Sequence, residues 1–96
     1  MKEYVIDYLP LAEEGIIKLK KAGDKQSLKK LQKLIEELKV HPTFGTGHPE
    51  QLKHFDGNVW SRHITDKHRL KYEIFEEISM VEILQMRSSK NSCVTP

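Results

Sequence analysis

Two neighbouring stretches of this sequence, residues 49–54 and 60–70, concentrate side chains that can transfer protons and hold anions. A short turn at residues 55–58 joins them, so we expect the folded chain to bring them together. A carboxylate or an imidazole can act as a general base, and an arginine can grip a phosphate through two parallel hydrogen bonds. Nine side chains in the two stretches supply these groups, namely Glu50, Lys53, His54, Arg62, His63, Asp66, Lys67, His68 and Arg69.

Cleavage of RNA without a metal ion requires this inventory. A base takes the proton from the ribose 2′-hydroxyl, an acid protonates the leaving 5′-oxygen, and fixed cations stabilise the charge of the phosphorane. All five histidines lie within residues 41–72, together with a surplus of Lys and Arg, so a polyanion would find proton-transfer groups and positive charge there. The alternative interpretation is that these groups form the solvated face of a strand.

Other chemistries lack their motifs. The histidines are not spaced as metal ligands on a helix or a compact zinc loop, and Cys93 is the only cysteine. The glycines at 45 and 47 are not followed by the Gly-Lys-Ser/Thr of a phosphate-binding loop, and no Gly-x-Ser-x-Gly occurs. We therefore predict neither a metal site nor a cofactor.

Length and composition indicate one small domain. The chain has 96 residues, of which 38% are hydrophobic, and its net charge is +2. No apolar run approaches the roughly 20 residues that span a bilayer, and the acidic N-terminal stretch is unlike a signal peptide. We expect a cytoplasmic protein without a membrane association, with its domain at residues 1–88 and a polar tail at 89–96.

The order of predicted elements is β-α-α-β-β-β, an α+β fold in which two N-terminal helices pack on one face of a small antiparallel sheet. Pro10 fits the first turn of one helix, and Asp24 fits the N-cap of the next. Leucine and isoleucine at 28, 31, 34, 35 and 38 form an apolar stripe on the second helix. Strands are predicted at about 4–8, 58–65, 69–75 and 79–87, and the loop at 41–49 precedes the second of them.

The candidate residues lie inside a denser pattern. It reads PxFG at 42–45, GHPEQLK at 47–53, GxVWSR at 57–62 and ITDKHRLxY at 64–72. This run resembles the YoeB/Txe branch of the RelE-like toxins, and the similarity covers most of the domain. The resemblance implies a sheet backed by two helices and a metal-independent endoribonuclease that cuts mRNA at the ribosomal A site. It also implies a YefM-like antitoxin partner and a homodimer.

The resemblance also implies roles for single residues. Glu50 matches the family's general base, and Arg69 matches its transition-state arginine. The matching positions that contact RNA are Lys53, His54, Arg62, His63 and Arg87.

The end of the chain departs from the family pattern. Family members end with a His-Tyr pair that supplies the general acid, and here Ser89 and Lys90 stand at those positions. Lys90 could supply the proton only with a pKa well below the usual value of about 10.4, and His54 could serve instead, because the free imidazole pKa of about 6.5 suits the role. An alternative function is therefore a toxin homologue of weakened or no activity, which acts by binding antitoxin, ribosome or an operator complex. A general RNA-binding module is a third interpretation.

Overall fold

The computed structural model describes residues 3–65 and 68–88, the last two of these by backbone alone. Its elements follow the predicted order, with one added strand, β2, and a short 3₁₀ helix at Glu76–Ile78 before the last strand. The bounds are β1 Val5–Tyr8, α1 Pro10–Lys21, α2 Lys25–Leu38, β2 Glu50–Gln51, β3 Val59–His63, β4 His68–Phe75 and β5 Met80–Ser88. The predicted tail at 89–96 lies outside the described residues.

Both helices begin where the local chemistry predicts. Pro10 occupies the start of α1, where a missing N–H breaks no helical hydrogen bond. Asp24 caps α2, since its side chain accepts hydrogen bonds from the Ser27 N–H at 3.1 Å and the Ser27 hydroxyl at 2.7 Å. Gly23, with φ of +73°, makes the turn between the two helices.

The strands form one sheet in the order β1-β5-β4-β3-β2. Pairs β2–β3, β3–β4 and β4–β5 are antiparallel, but β1 pairs with β5 in parallel. The predicted antiparallel pairing is confirmed from β2 to β5, and β1 adds one parallel pair at the edge, so the sheet is mixed. The two helices carry the chain from β1, at one edge of the sheet, to β2, at the opposite edge. Three antiparallel pairings then lead from β2 back to β5, which lies beside β1 and runs in the same direction.

The two faces of the sheet differ sharply. In the sequence of β4, apolar Leu70, Tyr72 and Ile74 alternate with charged residues, which predicts one buried side. The structure confirms it, since all three are buried against the helices. We call this side the helix-covered face and the other side, which carries Arg69 and Lys71, the open face. The core unites the helix-covered face with the apolar stripes of α1 and α2, namely Ala12, Leu31, Leu34, Ile35, Leu38, Leu70, Tyr72, Ile74, Val81 and Ile83.

Candidate active site on the open face

Strand register places Glu50 on the open face. Glu50 lies opposite Ser61 on β3, and Ser61 lies opposite Lys71 on β4. Directly opposed residues of an antiparallel pair point to the same side, so these three residues form one row across the sheet. Glu50 is exposed, at the edge strand β2, and its carboxylate is open to solvent.

A second row lies two residues away along the strands. His63 on β3 is opposite Arg69 on β4, and Arg69 is opposite Arg87 on β5 in backbone register. Because side chains alternate along a strand, His63 shares the face of Ser61, and Arg69 shares the face of Lys71. Glu50, His63 and Arg69 therefore lie on the open face, on the three successive strands β2, β3 and β4.

None of these three side chains has an ion-pair or hydrogen-bond partner within the described part of the chain. Neither Glu50 nor Arg69 forms an ion pair or a side-chain hydrogen bond there, and the ring nitrogens of His63 form no hydrogen bond. Arg69 is therefore not neutralised by Glu73, which lies four residues further along β4 on the same face. An exposed carboxylate and cation left unpaired on one surface are available to a ligand, and the cation attracts a polyanion.

The turn after β2 covers one end of the open face. Phe55 lies over the ammonium of Lys71, which is 4.9 Å from the ring centroid, and this geometry is an attractive cation–π contact. Lys53 and His54 precede Phe55 in the same turn and are exposed. Lys71 carries a positive charge onto the open face, in the row of Glu50 but separated from it by Ser61 on β3. Sequence reasoning missed it, since a strand lysine has no distinguishing local signal.

Arg62 is found in the interior, not on the open face where an RNA contact would require it. It lies opposite Leu70 on the helix-covered face and is 0% exposed. Its guanidinium donates to the Glu37 carboxylate at 3.0 Å and to the Tyr72 hydroxyl at 3.1 Å. It also donates to three backbone carbonyl oxygens of the loop after α2, those of His41 at 2.7 Å, Phe44 at 2.8 Å and Thr46 at 3.3 Å.

Burial and the charge of Arg62 together shift the pKa values of its two side-chain partners, Glu37 and Tyr72. Burial opposes ionisation of Glu37, but hydrogen bonds from Thr46 and Arg62 outweigh it, and the pKa of the Glu37 carboxyl lies below its usual value. Burial raises the pKa of the Tyr72 hydroxyl, although Arg62 partly opposes this. That hydroxyl donates to the Pro42 carbonyl at 2.6 Å, so β4 also holds the loop.

The loop clamped by Arg62 leads directly into the site. The Gly47 carbonyl accepts a hydrogen bond from the His63 N–H at 2.7 Å, and Gly47 has φ of +89°. The ring of His48 meets the ring of His63 edge-on, with centroids 6.4 Å apart. Glu50 follows two residues later. The position of the carboxylate therefore depends on a loop whose carbonyls are gathered by a buried arginine.

Among the described residues, no group of three or more His, Cys, Asp or Glu side chains is arranged to hold a metal ion. No described helix has the length and apolar character needed to cross a membrane.

Comparison with known proteins agrees with this architecture. The family model described as the YoeB-like toxin of bacterial type II toxin–antitoxin systems matches residues 17–89. Toxin YoeB of Escherichia coli (strain K12) is 40% identical over 58 residues, which are 60% of this chain and 69% of that protein. A YoeB/ParE toxin from Agrobacterium tumefaciens is similar in structure with a TM-score of 0.78, at 29% identity over 92% of this chain and 98% of the other.

Two Staphylococcus aureus structures are also similar, each over 88% of this chain. A YoeB dimer has a TM-score of 0.76 at 26% identity over 95% of its chain, and a heterotetrameric YoeB–YefM complex has 0.73 at 28% over 94%. The fold is that of the YoeB- and RelE-type toxins. The chain belongs to the YoeB family, the toxins of bacterial type II toxin–antitoxin systems.

Proposed function

We propose that this toxin is an endoribonuclease that needs no metal ion, cuts mRNA at the ribosomal A site and so inhibits translation. One observation carries the proposal. Glu50, His63 and Arg69 share the open face of the sheet, and none of their side chains forms an ion pair or a hydrogen bond within the described residues. A phosphodiester can bind to these unpaired charges at little cost in free energy, because no ion pair within the protein has to break first.

The mechanism assigns Glu50 and Arg69 complementary tasks. The Glu50 carboxylate takes the proton from the ribose 2′-hydroxyl, and the 2′-oxygen attacks the adjacent phosphorus. The P–O5′ bond then breaks and leaves a 2′,3′-cyclic phosphate. Arg69 stabilises the negative charge that accumulates on the phosphorane oxygens, and its planar fork suits two of them at once.

The flanking cations extend this surface along the RNA. Lys53 and His54 in the turn after β2 and Arg87 on β5 would contact the phosphates beside the cleaved linkage, as would His63. Arg62 is excluded from this group because its hydrogen bonds are spent inside the protein. Its contribution to activity is to hold the loop that leads to Glu50.

We further propose a YefM-like antitoxin as the partner of this chain, because a similar Staphylococcus aureus YoeB is found in a complex with YefM. A homodimer is proposed on the dimeric state of another Staphylococcus aureus YoeB. Action on translating ribosomes implies the cytoplasm as the site of action.

The test is mRNA cleavage on programmed ribosomes, mapped by primer extension. Wild-type protein should cut within the A-site codon, and Glu50→Gln should lower the cleavage rate about 10²–10⁴-fold because the general base is lost. Glu13→Gln, an exposed carboxylate on α1, is the matched control and should cut like wild type. Arg69→Lys keeps the charge but loses the fork, and it should also be slower.

Absence of cuts from the wild type, with ribosome binding intact, would contradict the nuclease proposal. That result would favour the alternative in which the homologue acts by binding alone. Equal cleavage by wild type and Glu50→Gln would remove Glu50 from the mechanism.

A further inference from the structure

The proposed reaction needs a group that gives a proton to the leaving 5′-oxygen, and the sequence has no histidine after His68. We propose that His63 is this general acid. The inference rests on the proposed function and adds a catalytic role to a residue otherwise assigned only to RNA contact.

The position of His63 relative to Glu50 suits the two ends of one reaction. Glu50 is opposite Ser61, and His63 is two residues further along β3 on the same face. Diagonal neighbours of this kind are roughly 7–8 Å apart across an antiparallel pair. A phosphate placed between them would meet the carboxylate on the side of the 2′-oxygen and the imidazole on the side of the 5′-oxygen.

Arg69 completes the arrangement from the neighbouring strand. It lies directly opposite His63, so its guanidinium can hold the phosphate that both proton-transfer groups flank. The charged and titratable groups facing His63 in the described structure thus include Arg69 from β4, His48 from the loop and, diagonally, Glu50 from β2.

The backbone of His63 is held while its ring is free to act. Its N–H is bonded to the Gly47 carbonyl at 2.7 Å, and the edge-on ring of His48 limits one side of the imidazole. The His63 ring nitrogens have no hydrogen bond within the described part of the chain. A fixed position with an unused donor is what a general acid needs.

The three histidines at 41, 54 and 68 are less suited than His63 to donate a proton to the 5′-oxygen. The His41 ring is bonded to the Phe44 carbonyl at 3.0 Å and stacked on the Phe44 ring. His68 is on the helix-covered face, 3.9 Å from the Asp24 carboxylate. His54 is exposed in the turn after β2, and within the described structure no contact fixes its ring.

The proton balance of the step is complete. Glu50 gains the 2′-hydroxyl proton as the P–O2′ bond forms, and protonated His63 gives its proton to the 5′-oxygen as the P–O5′ bond breaks. The enzyme ends with a neutral imidazole and a protonated carboxyl, and exchange with solvent restores both. No oxidant or metal enters the step.

A modified substrate can show whether His63 acts as the general acid or has only a structural role. The probe is mRNA on programmed ribosomes with sulfur in place of the bridging 5′-oxygen at the cleaved linkage. A thiol has a pKa of about 8.5, so a thiolate leaves without a proton donor. His63→Gln should lose about 10²–10⁴-fold in single-turnover cleavage of the normal linkage. It should cleave the sulfur-bridged linkage as fast as wild type.

Two variants control this experiment. Glu50→Gln should be slow on both linkages, because the 2′-hydroxyl proton must be removed in either case. His68→Gln changes the same residue type on the opposite face of the sheet and should match wild type on both.

Each other outcome counts against the assignment. Equal losses on the two linkages would make His63 a structural or binding residue and overturn the proposal. No loss on the normal linkage would do the same. If wild type cuts the sulfur-bridged mRNA alone, the site has no general acid, and both the role of His63 and the cleavage of ordinary mRNA are refuted. If wild type cuts neither, the proposed nuclease function fails, and the role of His63 fails with it.

Discussion

Arg62 Nη1 lies 3.0 Å from Glu37 Oε1, and this pair joins β3 to α2 beneath the sheet. The arginine side chain is 0% exposed and that of the glutamate 17%. The remaining donors of Arg62 are satisfied by Tyr72 and by carbonyls of the loop at 41–46. The pair therefore couples a helix, two strands and the loop that leads to Glu50, so the interior charge acts on the surface site through the backbone.

Replacing Arg62 by Met should destabilise the fold strongly. The change leaves the Glu37 carboxylate partly buried without its cation and leaves several carbonyls without a donor. Removal of one partner of a buried pair costs about 3–5 kcal/mol. Urea unfolding followed by circular dichroism measures the loss in free energy of unfolding.

The double variant Arg62→Met with Glu37→Met is the control for that loss. It removes both charges, so it should be less destabilised than the sum of the two single variants. Strict additivity of the three measured values would show that the two side chains are not energetically coupled.

Acid should weaken the fold through Glu37. The pKa of this carboxyl is lowered in the folded chain from its ordinary 4.5. Its contribution to stability is therefore fully present above the unfolded value and is lost as the pH falls through the folded value. Urea unfolding from pH 7 down to pH 3 should show a drop in wild type that Glu37→Gln shows to a smaller extent. An identical pH dependence in the two proteins would contradict this assignment.

Gly47→Ala should damage the site and the fold together. Its φ of +89° disfavours any side chain, and an added Cβ would lie 2.5 Å from the His63 carbonyl oxygen. The loop must shift, so the Gly47–His63 hydrogen bond and the position of Glu50 change. Both the melting temperature and the rate of mRNA cleavage should fall.

Gly23→Ala is the matched comparison for Gly47→Ala. Gly23 has a similar φ of +73°, but an added Cβ meets nothing within 4 Å. Only the backbone penalty of about 1–2 kcal/mol remains, and cleavage per folded molecule should be unchanged. A cleavage defect in Gly23→Ala equal to that of Gly47→Ala would show that contact with His63 is not the cause.

Asp24→Ala should lower the stability of the fold and leave the rate of mRNA cleavage per folded molecule unchanged. The change removes the acceptor of the Ser27 N–H at the start of α2 and costs about 0.5–2 kcal/mol. Asp24→Asn keeps an acceptor and should retain most of the stability. Thermal unfolding compares the three proteins. Equal stability of Asp24→Ala and wild type would show that the cap does not contribute.

Local features of the sequence determined the helices and the faces of one strand. A proline at the start of α1, a capping Asp24 and an apolar stripe on α2 act within a few residues of chain, so their effects are legible without the fold. The alternation of Leu70, Tyr72 and Ile74 identifies the buried side of β4 for the same reason. The resemblance to the family pattern predicted Glu50 and Arg69 as site residues, because their types suit proton transfer and phosphate binding.

Tertiary structure alone placed Arg62 in the interior, whereas the alternation along β4 already predicted that Arg69 lies on the open face. Arg62 and Arg69 are both strand residues in one basic motif, and a register shift of one residue would exchange their faces. Register depends on pairing between β3 and β4 and on Glu37, which is 25 residues before Arg62. The parallel pairing of β1 with β5 likewise depends on the path of two helices. Such long-range partners leave no local signal in the sequence.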